Sequence, residues 1–178
     1  IEILDGQGGN NRFSIENLAL AINSDWLIDG NNSGSVNGIG FNNFSSLTGN
    51  GLNDTFNFIN NGSLSGNIDG AGGVNTLNYS AFASPVTVDL QTPSASGVAS
   101  FNDITAFIGS SNTDILRGTD NDGTFFIDGP TAGNIDGAID FSSFETLDGQ
   151  GGQDALDYSA YTSPVNVNLA TASATDVS

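Results

Sequence analysis

The fold class the sequence predicts is all-β: an elongated parallel β-solenoid of the β-helix or β-roll kind, with a β-sandwich of the adhesin-repeat type as the alternative. Three observations predict it. Residues 70–90 (GAGGVNTLNYSAFASPVTVDL) return as residues 149–169 (GQGGQDALDYSAYTSPVNVNL), 79 positions later (149 − 70). Self-similarity at long spacing is the mark of a solenoid. Short runs alternate apolar and polar residues, the period of a strand with one buried face. Finally, 24 Gly and 23 Asn among 178 residues supply turns and disfavour helices.

Taken in order, each segment reads as turn and strand. Residues 4–15 give a Gly turn, then Phe13 and Ile15 alternating. In residues 17–28, Leu18, Leu20 and Ile22 alternate, which favours strand over helix. Residues 29–49 match residues 128–149 with one residue inserted, so Trp26 pairs with Phe125 as an aromatic core position. Residues 49–69 hold a Gly/Asn turn, alternating Phe56 and Phe58, and a short strand around Leu64. Each long copy then reads as a Gly turn, a strand (Leu77 and Tyr79, or Leu156 and Tyr158), and a Ser-Ala-x-x-Ser-Pro break. A second strand follows, with Val86, Val88 and Leu90, or Val165, Val167 and Leu169, facing inward. Proline suits the start of such a strand because it has no N–H to donate.

At roughly 20 residues per turn, about eight rungs fit one array over residues 1–178. Each rung needs neighbours to bury its apolar face, and stacked Asn and Ser side chains can form hydrogen-bonded ladders between rungs. Residues 1–6 resemble 144–149 and the last six resemble 94–99. The expectation is therefore a window of a longer array.

Charge narrows the partners. Two basic residues, Arg12 and Arg117, stand against 20 acidic ones, for a net charge of −18. No basic patch can be built from two arginines, so nucleic acid and anionic membrane are not expected partners, and cations are. No run is long and apolar enough to insert in a bilayer. With no His, Cys or Lys, most nucleophile and base sets have no members, and catalysis is not expected.

The Gly turns are the sharpest motif. Residues 149–157, GQGGQDALD, fit the nonapeptide G-G-x-G-x-D-x-U-x at every fixed position but the second. In this the chain resembles hemolysin-type (RTX-like) repeat proteins. The longer stretch from Asn53 (NDTFNF) through GSLSGNIDGAGGVNTLNYSAFASPVTVDL is similar to spacer modules of very large secreted bacterial surface proteins and adhesins. The resemblance implies export and calcium held between successive turns by Asp and turn carbonyls. The chain departs from the pattern: the place of Asp154 holds Asn11 and Asn75 in two other turns, while the turns of Asp54 and Asp114 put Leu52 and Asn112 at the fourth position. The glycine turns are also isolated rather than tandem. The plainer reading of the glycines is positive φ at tight corners.

Two places are candidate calcium ligands: Asp154, and the run Asp120, Asp122 with Asp128. An EF-hand is excluded, since Gly118 and Gly129 occupy the positions of its first acid and its Glu. The turns of Asn11 and Asn75 lack the carboxylate and are expected to close by hydrogen bonds. Tyr79, Phe82, Tyr158 and Tyr161 suit core or corner packing better than a carbohydrate platform. The expected function is a structural extracellular repeat segment of a secreted bacterial surface fibre or adhesin, self-associating through neighbouring repeats or protomers. A calcium-dependent binding module is the alternative, and a glycan-active β-helix a third.

Overall fold

The structure is a computed structural model that describes residues 3–16, 22–168, 170 and 173–177. These residues form strands and no helix. The chain opens with β1 (Ile3–Asp5) and β2 (Arg12–Ser14). A meander follows, of β3 (Asp25–Gly30), β4 (Ser33–Val36) and β5 (Ile39–Asn42), and then β6 (Ser46–Thr48), β7 (Thr55–Ile59), β8 (Leu64–Asp69) and β9 (Thr76–Ala81). A second meander comprises β10 (Thr87–Asp89), β11 (Ser94–Ala95) and β12 (Val98–Asn102), followed by β13 (Ala106–Ile108) and β14 (Ile115–Arg117). The third is β15 (Thr124–Gly129), β16 (Ala132–Ile135) and β17 (Ile139–Ser142). β18 (Thr146–Asp148), β19 (Ala155–Asp157), β20 (Val167–Asn168) and β21 (Ser173–Ala174) complete the chain.

The strands wind as a β-solenoid of about five turns. Alternation decides what faces in: Trp26 and Ile28 on β3, Phe56 and Phe58 on β7, Leu77 and Tyr79 on β9 are all buried. Consecutive turns pair in parallel and in register, so like stacks on like. One face carries the row Trp26, Phe56, Leu77, Phe107, Phe141. The other carries Phe13, Leu47, Ile68, Phe101. The rows meet across one core, where Phe13 lies edge-on to Trp26 (ring centroids 5.4 Å) and Phe101 lies 5.3 Å from Phe107. Parallel pairing between turns removes the sandwich alternative, whose sheets are antiparallel.

Fewer turns than eight result because each meander spends three strands on one face. In every meander the chain jumps ahead, returns antiparallel, then fills the place it skipped. The first face therefore runs β1-β5-β4-β3-β7-β9-β13-β17-β16-β15-β19 and the second β18-β14-β10-β11-β12-β8-β6-β2. Eleven strands of the first face, at about 4.8 Å per step, give an axis of roughly 48 Å.

Two repeat lengths share this frame. The meanders at β3–β5 and β15–β17 lie 99 to 100 residues apart (125 − 26, 141 − 41), whereas the long copies lie 79 apart. The excess of 21 (100 − 79) equals the step from Phe56 to its partner Leu77. The first repeat thus contains one extra 21-residue rung, β7–β8, that the second lacks.

The two long copies differ in burial. Val86 and Val88 are inward, as expected, but Val165 and Val167 are exposed; Val88 is 0 % exposed and Val167 56 %. The reason is position: β10 is covered by β14, whereas β20 pairs only with β21. Leu169, Leu18 and Leu20 lie outside the described residues, and Ile22 sits in an exposed bend instead of a strand.

Tyr79 is wholly buried, stacked on Phe58 at 4.7 Å, and its hydroxyl has no hydrogen-bond partner in the protein. Burial pushes its phenol far above the ordinary range. Folding therefore favours the neutral form; that contribution is constant below pH about 10 and is lost as pH rises beyond it. Tyr79→Phe keeps the stack and removes the unpaired hydroxyl. It is expected to raise stability by about 1 kcal/mol at neutral pH and to blunt the alkaline loss, both measurable by denaturant melts.

Candidate functional site

Five corner turns share a six-residue plan that begins with Gly and ends with Asn or Asp: residues 6–11, 49–54, 70–75, 109–114 and 149–154. The first Gly is required by close approach. A Cβ there would meet the sixth side chain at 2.8, 2.0, 2.4, 2.7 and 2.2 Å respectively. The fourth residue divides the turns into two kinds. Gly9, Gly73 and Gly152 have φ of 98°, 87° and 92°, and the second residues Gln7, Ala71 and Gln150 are also left-handed. In the turns of Asp54 and Asp114 neither place has positive φ. This is why Leu52 and Asn112 are tolerated where the others need Gly.

The sixth side chain is a corner post. Its Oδ1 accepts a backbone N–H from a preceding segment: Ser24 to Asp54 (2.9 Å), Asp54 to Asn75 (2.8 Å), Val86 to Asp114 (2.6 Å) and Gly123 to Asp154 (3.0 Å). Its second atom closes its own turn. Asp54 and Asp114 accept the N–H of Asn50 (2.7 Å) and Ser110. Asn75 instead donates to the carbonyls of Gly72 (3.2 Å) and Asp103 (2.9 Å), and Asn11 donates to those of Gly6, Gly8 and Asn43. Asp54, Asn75 and Asp114 are buried, so water cannot replace these bonds. The Asn11 and Asn75 turns thus close by hydrogen bonds, as their sequences predict.

Asp154 differs from the other four. Its turn has the left-handed geometry of the Asn75 turn but carries a carboxylate. Asp154 Oδ2 stands against Gly149 where Asn75 Nδ2, a donor, stands against Gly70.

No family model matches the chain, and neither a curated protein nor a solved structure does.

The structure stacks the turn of Asp154 on that of Asp120 and Asp122: Gln153 N–H donates to Asp122 Oδ1 (2.8 Å) as Gly123 N–H does to Asp154. Asp120 lies against Gly151 and its N–H donates to Gln91. Asp128 is not brought to this corner; it lies five residues beyond Gly123 along β15, about 16 Å away by strand rise. Among the described residues no group of three or more acidic side chains converges as a metal cluster. Beside these turns opens a hollow of about 470 Å³, lined by Phe101, Ile104, Phe125 and Ile139 with Asp103 and Asp136.

Tyr79 and Phe82 are core residues, edge to face at 5.4 Å, while Tyr158 and Tyr161 are partly exposed. Their hydroxyls donate to Thr175 O and to Asp176. Burial foremost raises the Tyr158 phenol, and the Asp176 hydrogen bond the Tyr161 phenol. Arg12 lies 3.4 Å from Glu16 and Arg117 3.4 Å from Asp148, both pairs solvent-exposed. Among the described residues no helix is long and apolar enough to cross a membrane. Sequence reasoning missed the corner posts at Asp54 and Asp114 as a working set. The signal was present: a position that holds Asp in some turns and Asn in others fits the hydrogen bonding that both side chains can do, and not the charge that only one carries.

Proposed function

We propose that this chain is a structural repeat segment of a secreted bacterial surface fibre or adhesin, which spans distance outside the cell and associates with neighbouring repeats. One observation carries the reading: an uninterrupted eleven-strand face in which the shared plan of the corners serves to tie one turn to the next. Such a unit adds length by a fixed rise per strand and spends its polar groups on stiffness. The acidic surface keeps neighbouring fibres apart until divalent cations screen or bridge them. Two arginines and no lysine give trypsin-like proteases little to cut.

A calcium-dependent module is the second reading, favoured by the Asp154 oxygen in the place of an amide donor. A single series separates the two. One, two and three copies in tandem are measured by small-angle scattering and melted with calcium or with chelator. The structural reading expects the largest dimension to grow by roughly 53 Å per copy, eleven strand spacings of about 4.8 Å, with melting curves indifferent to chelator. It fails if the tandems collapse to a compact particle. The calcium reading expects melting to rise with calcium and that gain to vanish in Asp154→Asn. In metal-free buffer the same substitution restores the Asn75-type donor and stabilises by about 1 kcal/mol.

A further inference from the structure

The second and third meanders meet across one edge of the solenoid. The chain crosses this edge from the second face to the first at residues 103–105, after β12, and again at 118–123, after β14. Between these links stand β11 and β10 on the second face, and β17 and β16 on the first. Both pairs are antiparallel hairpins. Their tips, residues 90–93 and 136–138, come to the same edge, and among the described residues no link crosses it between them. The two links are three strand steps apart, about 14 Å. Elsewhere such links stack directly, as where Gly72 N–H donates to Asn50 O at 3.1 Å. The paired meanders thus leave a window in the wall.

The hollow of about 470 Å³ opens at that window. Its floor is the core itself: Phe101, Ile104, Phe125 and Ile135 are buried, and Ile139 is partly so. Its rim carries Asp103, Asp136 and Asp154. A Cβ on Gly123 would lie 3.4 Å from Asp154 Oδ1 and 3.8 Å from Asp136 Oδ2, so two carboxylates border one spot at the mouth. The turns do not need the charges of Asp103 and Asp136. Asp136 has φ 53° and its Oδ1 accepts the Thr124 N–H at 2.8 Å; Asn37, its counterpart in the first meander, has φ 47° and accepts the Asp25 N–H at 3.1 Å. Asp103, at φ 52°, sets its carbonyl against Gly70, as Asn43 does against Gly6 and Ser143 against Gly109, at φ 61° and 60°. Where the sister turns hold a neutral residue, the two beside the hollow hold a carboxylate. The third meander's tip is also one residue longer than the first's, by Ala138, which lines the hollow.

We propose that this hollow binds a small organic ammonium ion, with the apolar body inside and the charged head among the rim carboxylates. This goes beyond the surface-fibre reading and does not rest on it. Size and lining suit a small molecule, since ligand pockets run about 300–1,000 Å³ and are mostly apolar with a few placed polar groups. Charge sets the sign of the ligand: three carboxylates and no basic residue line the hollow, on a chain of net charge −18. Such a field concentrates cations. A bare metal ion does not suit the place. Among the described residues no three acidic side chains converge, and a floor of Phe and Ile has no oxygen to offer a hard cation. An amine with an aromatic or aliphatic body uses both parts. Burial of the body removes apolar surface from water, and the ammonium N–H groups donate to carboxylates at the mouth. An anion would meet like charges, and a neutral ligand would forgo the rim.

The test titrates tryptamine, an ammonium ion at neutral pH, into the 178-residue protein and follows the heat. Tryptophol and indole-3-propionate serve as its neutral and anionic isosteres. Saturable one-to-one binding of tryptamine is expected, about ten-fold tighter than that of tryptophol, with no binding of indole-3-propionate. Asp103→Asn combined with Asp136→Asn should weaken tryptamine about ten-fold and leave tryptophol and the melting temperature unchanged, because Asn43 and Asn37 already serve such turns. These two residues take no part in the calcium reading, so the two outcomes stay separate. Ala138→Phe, in an exposed tip, fills the hollow and should abolish binding of both ligands. The proposal is overturned if tryptamine does not saturate the protein or if either isostere binds as tightly. It is equally overturned if the double Asn variant or Ala138→Phe binds tryptamine as the unaltered protein does, which would place the cation elsewhere on the acidic surface.

Discussion

Val88→Asp is expected to lower the melting temperature by about 6–20 °C, while Val167→Asp shifts it by no more than about 2 °C. The two valines occupy the same place in the two long copies, 79 residues apart. Val88 is fully buried between its partners Ala95 and Leu116 on the second face. A carboxylate there is an unpaired buried charge, which costs about 3–5 kcal/mol, and each kcal/mol shifts melting by about 2–4 °C in a domain of this size. Val167 is more than half exposed, and surface changes stay within about 0.5 kcal/mol. Circular dichroism melts of both variants check the contrast. Equal losses would mean that the second copy is covered in solution, and two silent variants would mean that the register is wrong.

Asp114→Ala is expected to cost about 3–5 kcal/mol. The Asp114 carboxylate takes N–H groups from Ser110 and Val86, plus the Ser110 hydroxyl at 3.0 Å, in a fully buried corner. Alanine would strand two backbone donors away from water, each worth about 1–3 kcal/mol. Asp114→Asn should lie between, since its Oδ1 can still hold Val86 while its amide faces the Ser110 N–H. Asp154→Ala, in an exposed turn, should cost under about 1 kcal/mol. Denaturant titration ranks the four proteins; a stable Asp114→Ala would show that the corner is wet.

Much of the fold was legible because stacked rungs leave their period in the chain. Alternation at Phe56, Phe58, Leu77 and Tyr79 placed the core, and the two long copies announced the array. The meanders were not legible. β4 and β16 are SGSV and AGNI, short and glycine-containing, and read as turn. They are strands because Gly34 and Gly133 let the returning chain press on the outgoing one; a Cβ would meet the carbonyls of Leu27 and Phe126 at 1.8 and 1.9 Å. The exposure of Val165 and Val167 was equally hidden, since a sequence copy records the strand but not whether a neighbour covers it. At the corners, attention fell on Asp154, Asp120 and Asp122 as metal ligands, while the hydrogen-bonding part that Asp54 and Asp114 play went unread. The Asn at the same position in two other turns is what separates these roles.

The skipped-and-filled order of the meanders bears on how such an array comes apart. In a plain solenoid the terminal coil can peel away alone, and the next then becomes terminal. Here β1 and β2 can leave singly, but the next strand in the chain, β3, is clasped between β4 and β7. It cannot go until β5 and β4 go with it. From the other end, β19 and β18 can leave, but β17 lies between β13 and β16, so β15, β16 and β17 must also part as one. Fraying therefore advances in ratchet-like blocks of three strands. An array threaded this way resists fraying through the order of its strands, in addition to the strength of any one contact.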